Sequence, residues 1–347
     1  IEMTFRSLPW RAIALVSSTI AILLAMLLLP ACCCVRGTSV PSAGAPPESH
    51  IPPIGTVPLP DFSEAHAKAP TQAYFRNVWF YLDETMFLDI HELRGEMQSK
   101  TRQDPLNFDD KRSFVMRVDT GTIGMKAPSL EKLMNRYIFG YPNAPLRDLH
   151  ISVSGKQLVQ SGIMHKVVDI PFTMWADVSA DHGLIRLHPT KISICGINGI
   201  GLLKAVGMNL QKMLKMPEER GIRAEKNDLL LDPQRVLPPP QTELHLVDVH
   251  TAGDELMQVF DAGKHVAPLV LPKADEKNVM YLRGGTLRMG KLLMIDADME
   301  VLDADPSDPF SFFIDRYNDQ LVEGFDRNTS DYGLIVHMKD WGKLGRK

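Results

Sequence analysis

The sequence predicts an α+β fold built on a mostly antiparallel sheet. Three observations lead to this class. Several segments alternate apolar and polar residues, only a few segments have helical periodicity, and the predicted order is strands, helix, many strands, helix, strands, helix, strand. Long runs of consecutive strands indicate hairpin connections rather than parallel crossovers. We therefore expect an antiparallel sheet with a small number of packed helices.

Three segments have the clearest strand pattern. Apolar and polar residues alternate over residues 114–118 and again at Ile151 and Val153. The longest run with a period of two extends over residues 293–301. Each segment is predicted to be a strand with one face buried, and Gly183 is one of the predicted turn residues.

Four segments have helical periodicity. The first is an apolar stripe at positions 130, 133, 134 and 137, with Ser129 as the predicted N-cap. The second covers residues 203–214, and the third begins at Asp308 and ends before Gly324. A shorter helix is predicted for residues 254–260.

An export signal precedes these elements. Residues 12–31 hold no charged side chain, Arg6 and Arg11 precede them, and residues 29–32 spell Leu-Pro-Ala-Cys. This ending resembles the bacterial lipobox, and the resemblance implies that Cys32 is acylated and becomes the mature N-terminus, facing the periplasm from the outer membrane. The alternatives are an uncleaved membrane helix and a soluble export product, because about 20 apolar residues also suffice to span a bilayer.

Composition divides the chain into four predicted parts. The signal peptide covers residues 1–31, and residues 32–73 hold the lipidated cysteine and a flexible linker rich in Pro, Ser, Gly and Ala. Residues 74–236 form the first α+β part. Residues 237–347, which begin at a run of three prolines, form a second α+β part that continues the same sheet.

The composition of the 347 residues argues against several classes of function. The net charge is −4 and no basic tract is present, which argues against a nucleic-acid partner. Of the 4 cysteines, only Cys195 lies beyond the cluster at positions 32–34. An exported domain of this kind folds without an internal disulfide, so its stability must come from buried apolar surface.

Catalytic and metal-binding signatures are mostly missing. Ser129 and Lys132 have the S-x-x-K spacing of penicillin-interacting enzymes, but no companion motif is found and helix capping explains the serine. His91 and Glu92 begin like a zincin helix, but Gly95 occupies the place of the second histidine. The sequence therefore predicts no catalytic residue, no metal ligand and no cofactor.

An acidic loop offers one alternative to this conclusion. Asp303, Asp305 and Asp308 could supply carboxylates to Ca²⁺, which prefers several oxygen ligands on one loop. The glycine and glutamate of an EF-hand loop are absent from the required positions, and helix capping by Asp308 is the simpler interpretation.

The apolar residues suggest a ligand rather than a reaction. Many of the 18 methionines fall in the predicted strands and helices, and flexible thioethers suit an adaptable apolar surface. The alternative is an ordinary core that is filled with methionine. Residues 167–175 are apolar on both faces of a predicted strand, which is typical of a sheet between two layers or of a cavity wall.

Residues 114–214 resemble the tubular lipid-binding (TULIP-like) domains of envelope proteins. The likeness lies in a helix with residues 133–137, long strands through residues 166–172 and 181–187, and a second apolar helix from Gly201. It implies a highly curved, mostly antiparallel β-sheet wrapping one or two long amphipathic helices around a groove for acyl chains. The expected groove residues are Met116, Leu133, Met134, Val168, Ile170, Phe172, Ile185, Leu187, Leu203, Val206 and Leu210.

These observations favour non-catalytic binding or transfer of a lipid or another apolar ligand by a lipid-anchored envelope protein. The first alternative is a scaffolding lipoprotein that contacts another envelope protein. An envelope hydrolase is the third candidate. The expected partners are an apolar small molecule and the membrane that holds acylated Cys32.

Overall fold

Strands dominate the computed structural model, with 57% strand and 14% helix. All the described residues belong to the unit that spans Leu59–Lys347. The described residues are 67–101, 104–165, 168–199, 201, 209–214, 216–266, 276–330 and 333–345.

The strands are numbered in chain order. They are β1 (Thr71–Asp83), β2 (Met86–Ser99), β3 (Leu106–Asn107), β4 (Phe114–Lys126), β5 (Leu146–Ser154), β6 (Gln157–His165), β7 (Asp169–Asp181), β8 (Leu184–Ile194), β9 (Ile197–Asn198), β10 (Ile222–Glu225), β11 (Asp228–Leu231), β12 (Gln241–Glu243), β13 (Leu246–Ala252), β14 (Glu255–Asp261), β15 (Val279–Arg283), β16 (Thr286–Met289), β17 (Leu292–Ile295), β18 (Asp298–Asp303), β19 (Phe310–Phe313), β20 (Phe325–Asn328) and β21 (Leu334–Met338).

The first sheet has eleven strands in the order β13-β14-β4-β2-β1-β15-β18-β21-β20, with β12 paired to β4 and β19 paired to β1. Strands from both ends of the described chain therefore belong to one sheet. β4 pairs with β14, and β1 pairs with β15. The domain boundaries at residues 73 and 236 stay a prediction.

The second sheet has seven strands in the order β10-β11-β8-β7-β6-β5, with β9 paired to β8. The turn between β7 and β8 consists of His182 and Gly183, whose φ angles are 49° and 80°. Positive φ at both residues matches the right-handed twist of a tight hairpin. A third, three-stranded sheet has the order β17-β16-β3.

A hydrophobic core joins the inner faces of the first and second sheets. It contains Phe80 and Ile90 of the first sheet and Met174 and Leu187 of the second. Strand β13 also contacts β7 and β8. Burial between two sheets explains why both carry apolar residues on the faces that meet.

The helices are short. They are α1 (Ala127–Lys132), which continues as a π-helical turn over Leu133–Ile138, then α2 (Leu210–Met213), α3 (Pro233–Val236) and α4 (Tyr317–Glu323). Single 3₁₀ turns cover Glu218–Arg220 and Trp341–Lys343.

The expected fold class is therefore wrong. The described residues form several open sheets with short helices, and they contain no long amphipathic helix wrapped by a sheet. The first predicted helix exists, but Ser129 lies inside it, where its Oγ accepts a hydrogen bond from the Phe87 backbone N–H at 3.3 Å. The second is helical at Leu210–Met213, and residues 202–208 lie outside the described residues.

Two predicted helices contain strands instead. Residues 254–260 contribute most of β14, which lies between β13 and β4. The third predicted helix begins with β19 and becomes helical only at Tyr317–Glu323, with Gly324 as its C-cap. Neighbouring strands satisfy the backbone in both cases, and this tertiary pairing overrides local helical propensity.

The predicted strands fare better. The strands at residues 114–118 and at Ile151 and Val153 are confirmed as parts of β4 and β5. The predicted run over residues 293–301 is two strands, β17 and β18, which belong to different sheets. The extended conformation is interrupted between them at Asp296, whose φ is 52°.

Candidate functional site

An apolar cavity lies between the first and second sheets. We call it the central cavity, and its volume is about 40 Å³. Met125 and Leu256 of the first sheet line one side, and Met174, Ala176 and Leu187 of the second sheet line another. The cavity is smaller than a typical ligand pocket of roughly 300–1,000 Å³.

Two further apolar cavities, each of about 30 Å³, adjoin the central cavity. The outer cavity, between the second sheet and α2, shares Gln160 and Met174 with the central cavity. The inner cavity, beneath β1, β2 and β4, shares Leu237 and Gln258 with it. The three cavities are therefore adjacent, and each neighbour shares two lining side chains with the central cavity; we call the three cavities together the apolar path.

The helical segment after β4 supplies one wall of the central cavity. Leu133 and Met134 of the π-helical turn line it. Asn135 fastens this turn to β5, because its Nδ2 donates to the Leu149 carbonyl at 2.7 Å and its Oδ1 accepts from the Leu149 N–H at 2.9 Å. Arg220, which lies in the 3₁₀ turn Glu218–Arg220, also binds the π-helical turn, since its Nη1 donates to the Tyr137 carbonyl at 3.0 Å.

Two buried amide side chains are the polar members of this apolar lining. Gln160 and Gln258 line the central cavity, and both are buried. The Nε2 atom of Gln160 has no hydrogen-bond partner among the described residues. Burying an unpaired amide donor costs free energy, roughly 1–3 kcal/mol by mutational measures. A ligand atom that accepts a hydrogen bond here would remove this cost.

The structure distributes the predicted groove residues over these cavities. The central cavity receives Leu133, Met134, Ile185 and Leu187; the outer cavity receives Phe172 and Leu210; the inner cavity receives Met116.

Two predicted residues line none of the three cavities. Val168 is 63% exposed, and Ile170 is half-buried. Leu203, Val206 and the predicted lipid anchor Cys32 lie outside the described residues.

Sequence reasoning missed Gln160 and Gln258. Gln160 is a buried position of β6, as are the apolar residues Leu158 and Met164, and Gln258 lies in a segment predicted to be helical. The available signal for both residues is a glutamine at an inward-facing position of a strand. For Gln258 this signal can be recognised only if β14 is correctly assigned as a strand.

The acidic loop predicted as a calcium alternative binds a lysine instead. The Nζ of Lys343 lies 2.9 Å from Asp305 Oδ2 and 2.7 Å from Asp308 Oδ1. Asp303 accepts hydrogen bonds from Asn278 Nδ2 at 2.7 Å and from the Asp305 N–H at 2.8 Å. The Lys343 ammonium group thus compensates Asp305 and Asp308, while Asp303 is held by hydrogen bonds from neutral groups.

Comparison with known proteins gives no assignment. No family model, no curated protein and no solved structure matches the chain. In the part of the chain that the structure describes, every helix is too short or too polar to cross a membrane. No catalytic motif is found in the sequence, and no match assigns an activity to it.

Proposed function

We propose that this protein binds an apolar chain with one hydrogen-bond-accepting group, such as the acyl chain of a lipid, without chemical conversion. The observation that carries this proposal is the apolar path through the three cavities, with the unpartnered Nε2 of Gln160 beside it. Gln160 would donate to a carbonyl or ester oxygen, while the aliphatic part fills the path.

Binding requires the path to widen, since the largest of its cavities holds about 40 Å³. Met174 lines both the central and the outer cavity, and Leu237 lines both the central and the inner cavity. A methionine side chain has three rotatable bonds and repacks at low cost. Rotation of Met174 would join the central and outer cavities.

Native mass spectrometry of the full chain, purified from bacterial membranes, tests this proposal. The parent protein should retain a co-purified lipid that organic extraction releases. Ala176→Val narrows the central cavity and should reduce the retained lipid several-fold. Ala297→Val is the matched control, because Ala297 is equally buried and lines none of the three cavities. A parent protein without lipid, or equal loss in both variants, would contradict the proposal.

The location that we propose for this function is the bacterial cell envelope, with acylated Cys32 as the anchor. The support is the sequence pattern of residues 1–32. Cys32→Ser should leave an unprocessed precursor and abolish incorporation of labelled palmitate. Unchanged labelling in this variant would refute the anchor while leaving lipid binding open to its own test.

One observation favours the scaffolding alternative. Leu293 and Ile295 of β17 are 46% and 52% exposed, and β17 pairs with β16 alone among the described strands. An apolar edge strand with unpaired backbone groups is typical of a protein contact. The scaffolding function is favoured if two results are obtained together. The parent protein retains no lipid but cross-links to another protein in cells, and Leu293→Lys abolishes these cross-links.

A further inference from the structure

The outward face of the first sheet brings together three side chains that bind metals in other proteins. They are Asp89 and His91 of β2 and Glu255 of β14, whose donor atoms all lie within 4.8 Å of one another. His91 Nε2 is 3.4 Å from Glu255 Oε2. This face is opposite to the cavities, because Leu88 and Ile90, the alternate residues of β2, line the inner cavity.

Two backbone features of the sheet bring these residues together. The pairing of β2 with β4 passes from Ile90↔Ile123 to Glu92↔Thr122, so His91 is the extra residue of a β-bulge. Bulges redirect a side chain and are frequent beside functional sites. Asp89 and His91 share the outward face as alternate residues of β2, and the bulge leaves His91 without an opposite residue on β4.

Gly124 provides the second feature. β4 lies between β2 and β14, and Gly124 is paired with Asp89. A Cβ at Gly124 would lie 2.2 Å from Glu255 Oε2, which is closer than any side chain allows. Glycine at this position therefore lets the Glu255 carboxylate cross β4 and reach the two residues of β2.

Neighbouring side chains orient both carboxylates. Trp79 Nε1 donates to Asp89 Oδ2 at 2.8 Å, and Lys126 Nζ is 3.5 Å from Glu255 Oε1. The other oxygen of Glu255, Oε2, is the one that faces His91. Second-layer donors of this kind hold the ligands of metal sites in place.

The charge of the cluster also fits a cation. Asp89 and Glu255 are both buried, and the nearby Lys126 supplies one positive charge for two carboxylates. Buried charges require compensation by an opposite charge or a metal ion. A divalent cation between the two carboxylates and the imidazole would provide it.

We propose that Asp89, His91 and Glu255 form a binding site for a divalent transition metal, with Zn²⁺ as the expected ion. An imidazole with two carboxylates favours Zn²⁺ over Mg²⁺ and Ca²⁺, which prefer oxygen ligands alone. Three protein ligands leave the fourth tetrahedral position to water, and the His91 side chain is 50% exposed, which gives the ion access. This site does not depend on the proposed lipid binding.

Isothermal titration calorimetry of the full chain with Zn²⁺ alone tests the site. The visible absorption spectrum of bound Co²⁺ reports the coordination geometry. The parent should bind one ion, and Asp89→Asn, His91→Gln and Glu255→Gln should each weaken binding at least tenfold. His250→Gln is the matched control. Asp248 and His250 have the same spacing on β13, with a 2.8 Å contact and a histidine that is 52% exposed.

A second measurement, the melting temperature with and without Zn²⁺, tests the site on the parent protein and so does not depend on whether the ligand variants fold. Zn²⁺ should raise the melting temperature of the parent, and EDTA should reverse the rise, because a ligand of the folded state stabilises it. Gly124→Ala should remove this shift by displacing the Glu255 carboxylate. Equal weakening by His250→Gln, equally tight binding of Mg²⁺, or no shift in the parent would each overturn the proposal.

Discussion

Tyr137 donates a hydrogen bond from its hydroxyl to Oδ2 of Asp83 across 2.7 Å, and this bond joins the π-helical turn to the hairpin between β1 and β2. Asp83 Oδ1 accepts from the backbone N–H groups of Thr85 and Met86, each at 2.8 Å. One carboxylate therefore organises the hairpin turn and holds the wall of the central cavity against the first sheet.

Removal of the Tyr137 hydroxyl should destabilise the protein. Tyr137→Phe leaves a largely buried carboxylate oxygen with one donor fewer, and we expect a loss of about 1–3 kcal/mol in the free energy of unfolding. Tyr141→Phe is the matched control, because the Tyr141 hydroxyl is buried without a hydrogen-bond partner among the described residues. Urea denaturation compares the two variants, and equal losses would contradict this account.

The carboxylate of Asp83 should also contribute to stability in a pH-dependent way. Burial raises its pKa, but the hydrogen bonds from Tyr137, Thr85 and Met86 outweigh burial and lower the pKa below 3.8. Because the folded protein has the lower pKa, this contribution is present above the unfolded pKa. It is lost as the pH falls through the folded value.

Chemical denaturation of the parent and of Asp83→Asn between pH 2 and pH 6 measures this contribution. The difference in unfolding free energy should be largest above about pH 4 and should shrink in acid, since the amide does not titrate. A difference that is independent of pH would mean that Asp83 acts through hydrogen-bond geometry alone.

Asp303 should show the opposite dependence. Burial raises its pKa to about 6, despite the hydrogen bonds from Asn278 and from the Asp305 backbone. A carboxyl with a raised folded pKa stabilises the fold most below its unfolded pKa, and this contribution is lost as the pH rises through about 6.

The lost contribution should amount to about 3 kcal/mol at most, because one pKa unit corresponds to roughly 1.4 kcal/mol. Asp303→Asn should flatten the fall in unfolding free energy between about pH 4 and pH 6. Asp305→Asn is the control, because the pKa of this exposed carboxyl is lowered, chiefly by its hydrogen bond with Lys343. The same flattening in both variants would argue against Asp303 as the cause.

Sequence patterns predicted the strands that bury one face and failed where both faces are buried. All the residues of β19 are buried, and so are the first four of β14. Neither strand has the polar alternation that marks a period of two, and short apolar runs of this kind fit a helix equally well. The misassignment of these strands added to the predicted helical content, whereas the wrong expectation of long helices wrapped by a sheet came from the resemblance over residues 114–214.

The residues of the two candidate sites also differ in whether the sequence pattern could predict them. Leu133, Met134, Ile185 and Leu187 could be predicted, because each is a regular apolar position in a correctly assigned segment. The cluster of Asp89, His91 and Glu255 could not be predicted, since it depends on the pairing of β4 with β2 and β14. Spacing along the chain does not encode which strands become neighbours.

Cavity filling should cost less at Ala176 than at Ala297. Both alanines are fully buried, but only Ala176 lines the central cavity of about 40 Å³. Ala176→Val can place added methyl groups in that space, so we expect a change of less than about 1 kcal/mol, against about 1–3 kcal/mol for Ala297→Val in a close-packed site. Thermal unfolding of both variants measures the difference, and equal costs would indicate that the cavity closes in solution.

Replacement of Gln160 should leave stability unchanged or increase it. Its Nε2 is buried without a partner among the described residues, so Gln160→Met removes an uncompensated donor and keeps a similar volume, with an expected gain of up to about 1 kcal/mol. Gln320 is the matched control. Its Nε2 donates to the carbonyls of Ser311 and Lys339, both at 2.8 Å, and its Oε1 accepts from the Phe313 N–H at 2.9 Å.

Gln320→Met would leave these three backbone groups without partners, and we expect a loss of about 2–4 kcal/mol. Urea denaturation of lipid-free protein compares the two variants directly. If Gln160 binds the accepting group of a ligand, Gln160→Met should also lower the affinity for a fatty-acid probe while the unfolding free energy holds or rises. If Gln160→Met loses as much stability as Gln320→Met, the Gln160 side chain stabilises the fold, and its amide is not an unpaired donor available to a ligand.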